Sequence, residues 1–234
     1  MRTDPKSTFL PGDPPLEIRL RRSGRARRYS LRISQLDGRV TLTLPPRAPL
    51  DDGLAFLNEK ADWIRGHLKA HPDQVHVDFG TRVPFEGTLH AVMPDQVRSA
   101  RVEDGEILVP VSASRPGKRV EAFLKLAARD RLAAASDKYA AMLGRPYCKL
   151  TLRDTRSRWG SCSSTGNLSY SWRLIMAPCE VLDYVAAHEV AHLQEMNHSA
   201  AFWAVVERLC PDYAVHRRWL HEQGAGLHRW RFAD

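Results

Sequence analysis

Three histidines and a glutamate fall within eleven residues of this chain: His188, Glu189, His192 and His198. On an α-helix positions i and i+4 share a face. His188 and His192 therefore present two imidazoles to one cation, and Glu189 points toward a water on that cation without being a ligand. Three protein ligands leave a fourth position for water, as in a catalytic zinc site, whereas structural zinc sites usually close with four ligands that include thiolates. Cys148, Cys162, Cys179 and Cys210 have no C-x-x-C spacing and offer no such pair. Ten histidines occur in 234 residues. At that frequency an accidental H-E-x-x-H is expected in about 3% of such chains, and a third histidine six residues on lowers this to on the order of 0.1%. The expectation is one Zn²⁺ per chain held by His188, His192 and His198, with Glu189 accepting the water proton and passing it to a leaving amine.

These residues need particular elements to bring them together. Ten residues of unbroken helix would rotate His198 away from the face that carries the other two histidines, so the helix must end before it. Asn197 tolerates the left-handed conformation that terminates helices, and Ser199 is a good N-cap for a further helix over 200–209, so the break is expected at Asn197. The metal helix itself begins at Pro178 and packs through Val181, Leu182, Val185, Ala186 and Leu193. Metal-bound imidazoles need an acceptor for their second N–H, and Glu207 and Asp212 are candidates; Glu195 reads as a solvent-facing carboxylate.

Three divisions are expected along the chain. Residues 1–15 carry four prolines and read as a flexible N-terminus. Residues 16–113 read as a small domain of antiparallel sheet plus helix. Its alternating runs lie at 16–21, 28–35 and 39–44, with hairpin turns at Asp37-Gly38 and Asp104-Gly105. One helix opens there at Leu50-Asp51 and closes at His71-Pro72, with Trp63 at the edge of its apolar face as a packing residue. After Arg115-Pro116-Gly117, residues 114–234 read as a second domain: a long Ala-rich helix ending near Gly144, three short strands within 149–172, then the metal helix and two more. The fold class is α+β.

The charge balance of 35 Lys+Arg against 27 Asp+Glu is concentrated at Arg19, Arg21, Arg22, Arg25, Arg27, Arg28 and Arg32. A basic patch invites nucleic acid, but only Tyr29 is interleaved with it, so a solvated strand face rich in arginine is the favoured reading and nucleic acid the weaker one. No secretory signal and no apolar run of membrane-spanning length is present, so a cytoplasmic protein with reduced thiols and no membrane partner is expected. Neither a Gly-rich phosphate loop nor a serine nucleophile elbow occurs, which excludes the common ATP-driven and serine-hydrolase designs. The sequence says nothing about oligomeric state.

Beyond the histidines, a wider set of residues carries a family resemblance. Arg158-Trp159-Gly160-Ser161-Cys162-Ser163 with Gly166, Trp172-Arg173-Leu174, Ala177-Pro178, Asp183-Tyr184-Val185 and Asn197-His198-Ser199 followed by Phe202-Trp203 resemble the YgjP-like metallopeptidases, relatives of the SprT-like and WLM zincins. The likeness is close over about 153–227. It implies a minimal zincin-like catalytic part with a short sheet beside the metal helix, and a zinc peptidase acting on peptide or unfolded-protein substrates. His188, His192, His198 and Glu189 stand at the family's ligand and general-base positions.

Trp159, Gly160 and Ser161 have a physical reading of their own as an edge strand that pairs with an extended peptide; a tight turn with a buried Trp anchor is the equal alternative. Arg158, Arg173 and Asn167 are candidates to polarise the substrate carbonyl, and Trp159, Gly160, Ser161, Asn167 and Arg173 form the expected substrate-binding set. Two other functions stay open: a metal-dependent nucleotide phosphohydrolase drawing its anion to the arginines, and a non-catalytic nucleic-acid or partner-binding module braced by a structural zinc.

Overall fold

The computed structural model describes residues 5–34, 38–69 and 73–232. The chain divides into two compact units, Met1–Asp73 and Gln74–Asp234. In the first, β1 (Ser7–Leu10), β2 (Leu16–Arg22), β3 (Ser30–Ile33) and β4 (Val40–Leu44) form one sheet of order β1-β2-β4-β3, accompanied by α1 (Leu50–Glu59) and α2 (Ala61–Lys69). The alternation in β2 drives this packing: Ile18 and Leu20 are buried with Val40, Leu42, Leu44, Leu57 and Ile64, while Glu17, Arg19 and Arg21 between them are exposed.

Several details of this unit differ from the sequence reading. β2 and β4 run parallel, so the sheet is mixed. The stretch read as a flexible N-terminus supplies β1, because Leu10 completes the apolar cluster. The single helix expected after Leu50 is two, interrupted at Lys60, whose carbonyl still accepts from Ile64 N at 2.9 Å. Trp63 is 44% exposed, with its ring on His67, and is not a core residue. Asp37 and the expected helix end at His71-Pro72 lie outside the described residues.

The second unit contains β5 (Val75–His76), β6 (Arg82–Phe85), β7 (Thr88–Asp95), β8 (Arg101–Glu103), β9 (Glu106–Pro110), α3 (Pro116–Leu143), β10 (Lys149–Arg153), β11 (Gly160–Cys162) and β12 (Asn167–Ser171). A 3₁₀ turn (Trp172–Met176), α4 (Cys179–Ala191), α5 (Ala200–Leu209), α6 (Tyr213–Gln223), a second 3₁₀ turn (Gly224–His228) and β13 (Trp230–Arg231) complete it. The β8–β9 hairpin turns at Asp104-Gly105 as expected, both residues having positive φ. The boundary expected at 113/114 is not where the units divide. Val83, Val92, Ile107 and Val109 of β6, β7 and β9 share one core with Val120, Leu124 and Leu132 of α3, so the second sheet cannot be separated from the helices that follow.

Two features of this unit position the site. α3 starts with Pro at its first turn, ends at Gly144 with φ 68°, and buries Val120, Leu124, Ala128, Leu132, Ala135 and Tyr139 as one stripe against α4 and the first 3₁₀ turn. α4 is buried almost all round, from Val181 and Leu182 through Val190 and Ala191, which fixes it rigidly in the core. Beside it lies the sheet of order β10-β12-β11, in which β11 is an edge strand antiparallel to β12. Among the described residues no helix is long and apolar enough to cross a membrane.

Candidate active site

His188 and His192 sit at the end of α4, and the way that helix stops brings in the third histidine. α4 ends at Ala191, with His192 as its cap, six residues before the expected break at Asn197. Leu193 N donates to Val190 O and Gln194 N to Ala191 O, tightening the last turn, while His192 Nδ1 bonds the Glu195 carbonyl at 2.9 Å and holds that turn closed. The chain then reverses through Asn197, and the Ser199 hydroxyl accepts from Phe202 N to start α5, as the sequence indicates. His198 returns to the α4 face: its Nε2 lies 3.1 Å from His188 Nε2, and ligand nitrogens of all three histidines lie within 4.8 Å of one another.

α5 supplies the packing that orients these rings. Phe202 stacks on His192 at 4.4 Å and meets His188 and His198 edge-on, while Trp203 stacks on His198 at 5.9 Å. Arg217 lies over Trp203 in turn. The carboxylates expected to take the ligand N–H groups do not: His192 uses a main-chain carbonyl, and His188 Nδ1 is buried without a partner among the described residues.

A cation fits this donor set. Two nitrogens bound to one tetrahedral zinc at ~2.05 Å each lie about 3.3 Å apart, close to the His188–His198 separation. Burial, reinforced by His192, His198 and Arg217, pushes the His188 imidazole down to about 3, and burial also lowers His192. Both rings are thus neutral at pH 7 with a lone pair to donate. Glu189, 5% exposed, sits beside them; burial pushes its carboxyl up to about 8, against the opposing pull of Arg158. A buried carboxyl of this kind is ionised more easily when a cation is held next to it.

Room for the Glu189 carboxylate comes from β11. A Cβ on Gly160 would stand 2.5 Å from Glu189 Oε1 and 2.6 Å from its Cγ, so any larger residue there would force the Glu189 side chain to move. The cleft in front has a volume of about 410 Å³. Arg158, Trp159, Gly160, Ser161 and Cys162 form one wall, α4 residues Tyr184, Val185, His188, Glu189 and His192 another, and Met196, His198 and Leu220 the remainder.

The sequence profile of the YgjP-like metallopeptidase domain matches residues 27–223. The chain belongs to the YgjP-like metallopeptidase family. No curated protein matches it. Among solved structures it is similar to the metallopeptidase zymogen abylysin of Pyrococcus abyssi, at 22% identity and a TM-score of 0.35 over 42% of this chain and 95% of that one.

In this YgjP-like chain the expected substrate-binding residues separate into two groups. Trp159, Gly160 and Ser161 line the cleft; Asn167 and Arg173 do not. Asn167 is exposed where β12 begins and bonds Thr165 Oγ1 at 2.8 Å, so it shapes the turn before its strand. Arg173 is buried, donates to both carboxylate oxygens of Asp154 at 2.7 and 3.2 Å, and donates to the carbonyls of Leu227 and Trp230. It ties the C-terminal segment down. Of the carbonyl-polarising candidates, Arg158 alone reaches the cleft.

Cys162 also lines the cleft, but burial and then Glu189 push its thiol up to about 11, which makes it a packing residue and no nucleophile. Tyr184, Val185, Met196 and Leu220 were not read from the sequence as site residues. Tyr184 stands four residues before His188 on the same helix face, a spacing that identifies it; Leu220 of α6 arrives only by tertiary packing.

Trp159 keeps its place partly through the C-terminal 3₁₀ turn, packing on Gly224 and 5.2 Å from the His228 ring. Burial, with Arg173, Arg156 and Arg231, pushes His228 down to about 4, so this ring is neutral in the folded protein. The unfolded chain takes up a proton near pH 6.5 that the folded one refuses until about pH 4, and stability therefore falls as pH drops through that window. Urea unfolding of metal-free protein at pH 7, 5.5 and 4.5 is expected to show a falling midpoint, with a shallower fall in His228→Gln. Parallel pH dependences in the two proteins would refute this account.

Proposed function

We infer that this protein is a zinc-dependent peptidase in which His188, His192 and His198 hold one Zn²⁺ and Glu189 is the general base and acid. The observation that carries the reading is the convergence of three imidazoles beside a buried carboxylate on the floor of an open cleft. A bound zinc supplies Lewis acidity, lowering the pKa of a water toward ~7 and polarising a carbonyl.

The chain's own residues supply the rest. Glu189 takes the proton of the attacking water as the new C–O bond forms, then delivers it to the amide nitrogen as the C–N bond breaks, so the leaving amine departs neutral. Arg158 and Tyr184 line the same cleft, and each carries a donor that can serve a carbonyl oxygen as charge builds on it.

β11 suits an extended peptide. Ser171 N donates to Trp159 O and Ser163 N to Asn167 O, so in antiparallel alternation residues 159, 161 and 163 bond β12 while the N–H and C=O groups of Gly160 and Cys162 face outward on the free edge. A substrate strand pairing with that edge lies along the cleft past Glu189. Such recognition uses main-chain groups and favours unfolded segments over folded surfaces.

A phosphate-ester substrate calls for a carboxylate cluster around a hydrated divalent ion. Among the described residues, the cluster of metal-ligating type is the histidine triplet. The test is metal analysis joined to an assay on a reduced, alkylated protein substrate. Purified protein is expected to carry close to one zinc per chain, to lose hydrolysis on chelation, and to regain it with zinc; His192→Ala is expected to lose both metal and activity. Hydrolysis that persists after the zinc has been stripped would sink the reading.

A further inference from the structure

The peptidase reading leaves one face of the first unit without a role. Ile18, Leu20, Val40, Leu42 and Leu44 turn one side of the β1–β4 sheet toward its apolar core, so the residues between them point to the other side. Register sets these outer residues in rows. Ser7, Arg19, Thr41 and Arg32 lie side by side across the four strands, and Arg21, Thr43 and Ser30 form the next row.

Arg19, Arg21 and Arg32 are exposed, and none of them has a hydrogen bond or ion pair among the described residues. Two further arginines of the unit are spent on the fold: Arg22 bonds the carbonyls of Pro45, Pro46 and Ala48, and Arg65 those of Pro11 and Pro14. Arg19 and Arg32 stand two strand spacings apart, roughly 9.6 Å, with only a threonine between, and each raises the cost of the other until an anion joins them. Charge complementarity thus asks for a partner with several anionic groups in a row.

The sequence alone offered only Tyr29 as an aromatic companion, and the structure removes it: its hydroxyl bonds Pro49 O and its ring packs on Phe56. Phe9 takes that position instead. It is 65% exposed, and β1 pairs it with Glu17, which makes it the diagonal neighbour of Arg19 on the outer face. The ring lies directly beside the exposed Glu17 carboxylate, with Arg19 diagonal to it and the arginines and hydroxyls of the next rows beyond. An exposed ring at the end of such a row of cations matches a stacked base whose phosphates run along the arginines, away from Glu17. The face lacks the group of apolar side chains that a membrane surface would take up, and it presents no helix or ribbon to enter a duplex groove.

We propose that the outer face of the β1–β4 sheet binds single-stranded nucleic acid, with Arg19, Arg21 and Arg32 on the phosphates and Phe9 stacked on a base. The test is fluorescence anisotropy of the full chain with a labelled single-stranded oligonucleotide of about 15 nucleotides over a salt series. Arg19→Gln/Arg21→Gln/Arg32→Gln is expected to weaken binding more than tenfold and to flatten the log–log salt slope by about 2, from three lost phosphate contacts at ~0.7 each. Phe9→Ala is expected to weaken binding about fivefold or more at an unchanged slope, since stacking releases no counterions. Circular dichroism and the unfolding midpoint show that each variant folds, and the single arginine variants give the same test should the triple one not. The proposal is overturned if the arginine variants bind as the wild type does, if Phe9→Ala has no effect, or if duplex DNA or phosphatidylserine vesicles bind more tightly than the single strand.

Discussion

Glu189→Gln is expected to keep the metal content of the wild type and to lower kcat by about 10²–10⁴-fold. Glutamine has the same shape, so it fills the space between α4 and Gly160 without disturbing His188, His192 or His198. What it loses is the capacity to accept a proton and pass it on. The side chain is 5% exposed, and burial disfavours its charged form, so the neutral amide should not destabilise the metal-free protein. Zinc stoichiometry, unfolding midpoint and kcat measured on one preparation test all three statements. Wild-type turnover in this variant would remove Glu189 from the chemistry; loss of zinc would make it a ligand.

Gly160→Ala should be nearly as severe although it adds one methyl group to a residue that bears no functional side chain. The new Cβ would fall 2.5, 2.6 and 2.8 Å from Oε1, Cγ and Cδ of Glu189, well inside van der Waals contact. The φ of Gly160 is not positive, so the backbone accepts alanine and the effect lies entirely in the collision. Relief requires the carboxylate to move by about 1 Å, and a misplacement of that size costs on the order of 10²-fold in rate. The expected result is a fall of that order in kcat/KM with the zinc content intact. A double-mutant cycle isolates the cause. In a Glu189→Ala background the collision is gone, so adding Gly160→Ala should cost no further stability. Full activity in Gly160→Ala would show that the carboxylate and β11 are not locked together.

Much of this site was legible in the chain because its signals are local. The i, i+4 spacing of His188 and His192, the N-cap at Ser199 and the turn at Asp104-Gly105 each depend on a few neighbouring residues, and the structure reproduces them. The helix end was misjudged because Asn197 is a good terminator by residue type, whereas the actual stop at Ala191 is held by His192 bonding the Glu195 carbonyl. That bond exists only once the turn has closed.

The sequence by itself determined the spacing of the histidine triplet, the glutamate beside it, the need for a helix break and the α+β class, since periodicity and caps are written residue by residue. Tertiary structure alone decided which neighbours those groups meet. It set Gly160 against Glu189, bound Arg173 to Asp154 and the C-terminal carbonyls instead of the cleft, left Asn167 outside, brought Leu220 in, and divided the units at Asp73. Such contacts join residues far apart in the chain, and they are selected by the packing of whole elements, which no local pattern encodes.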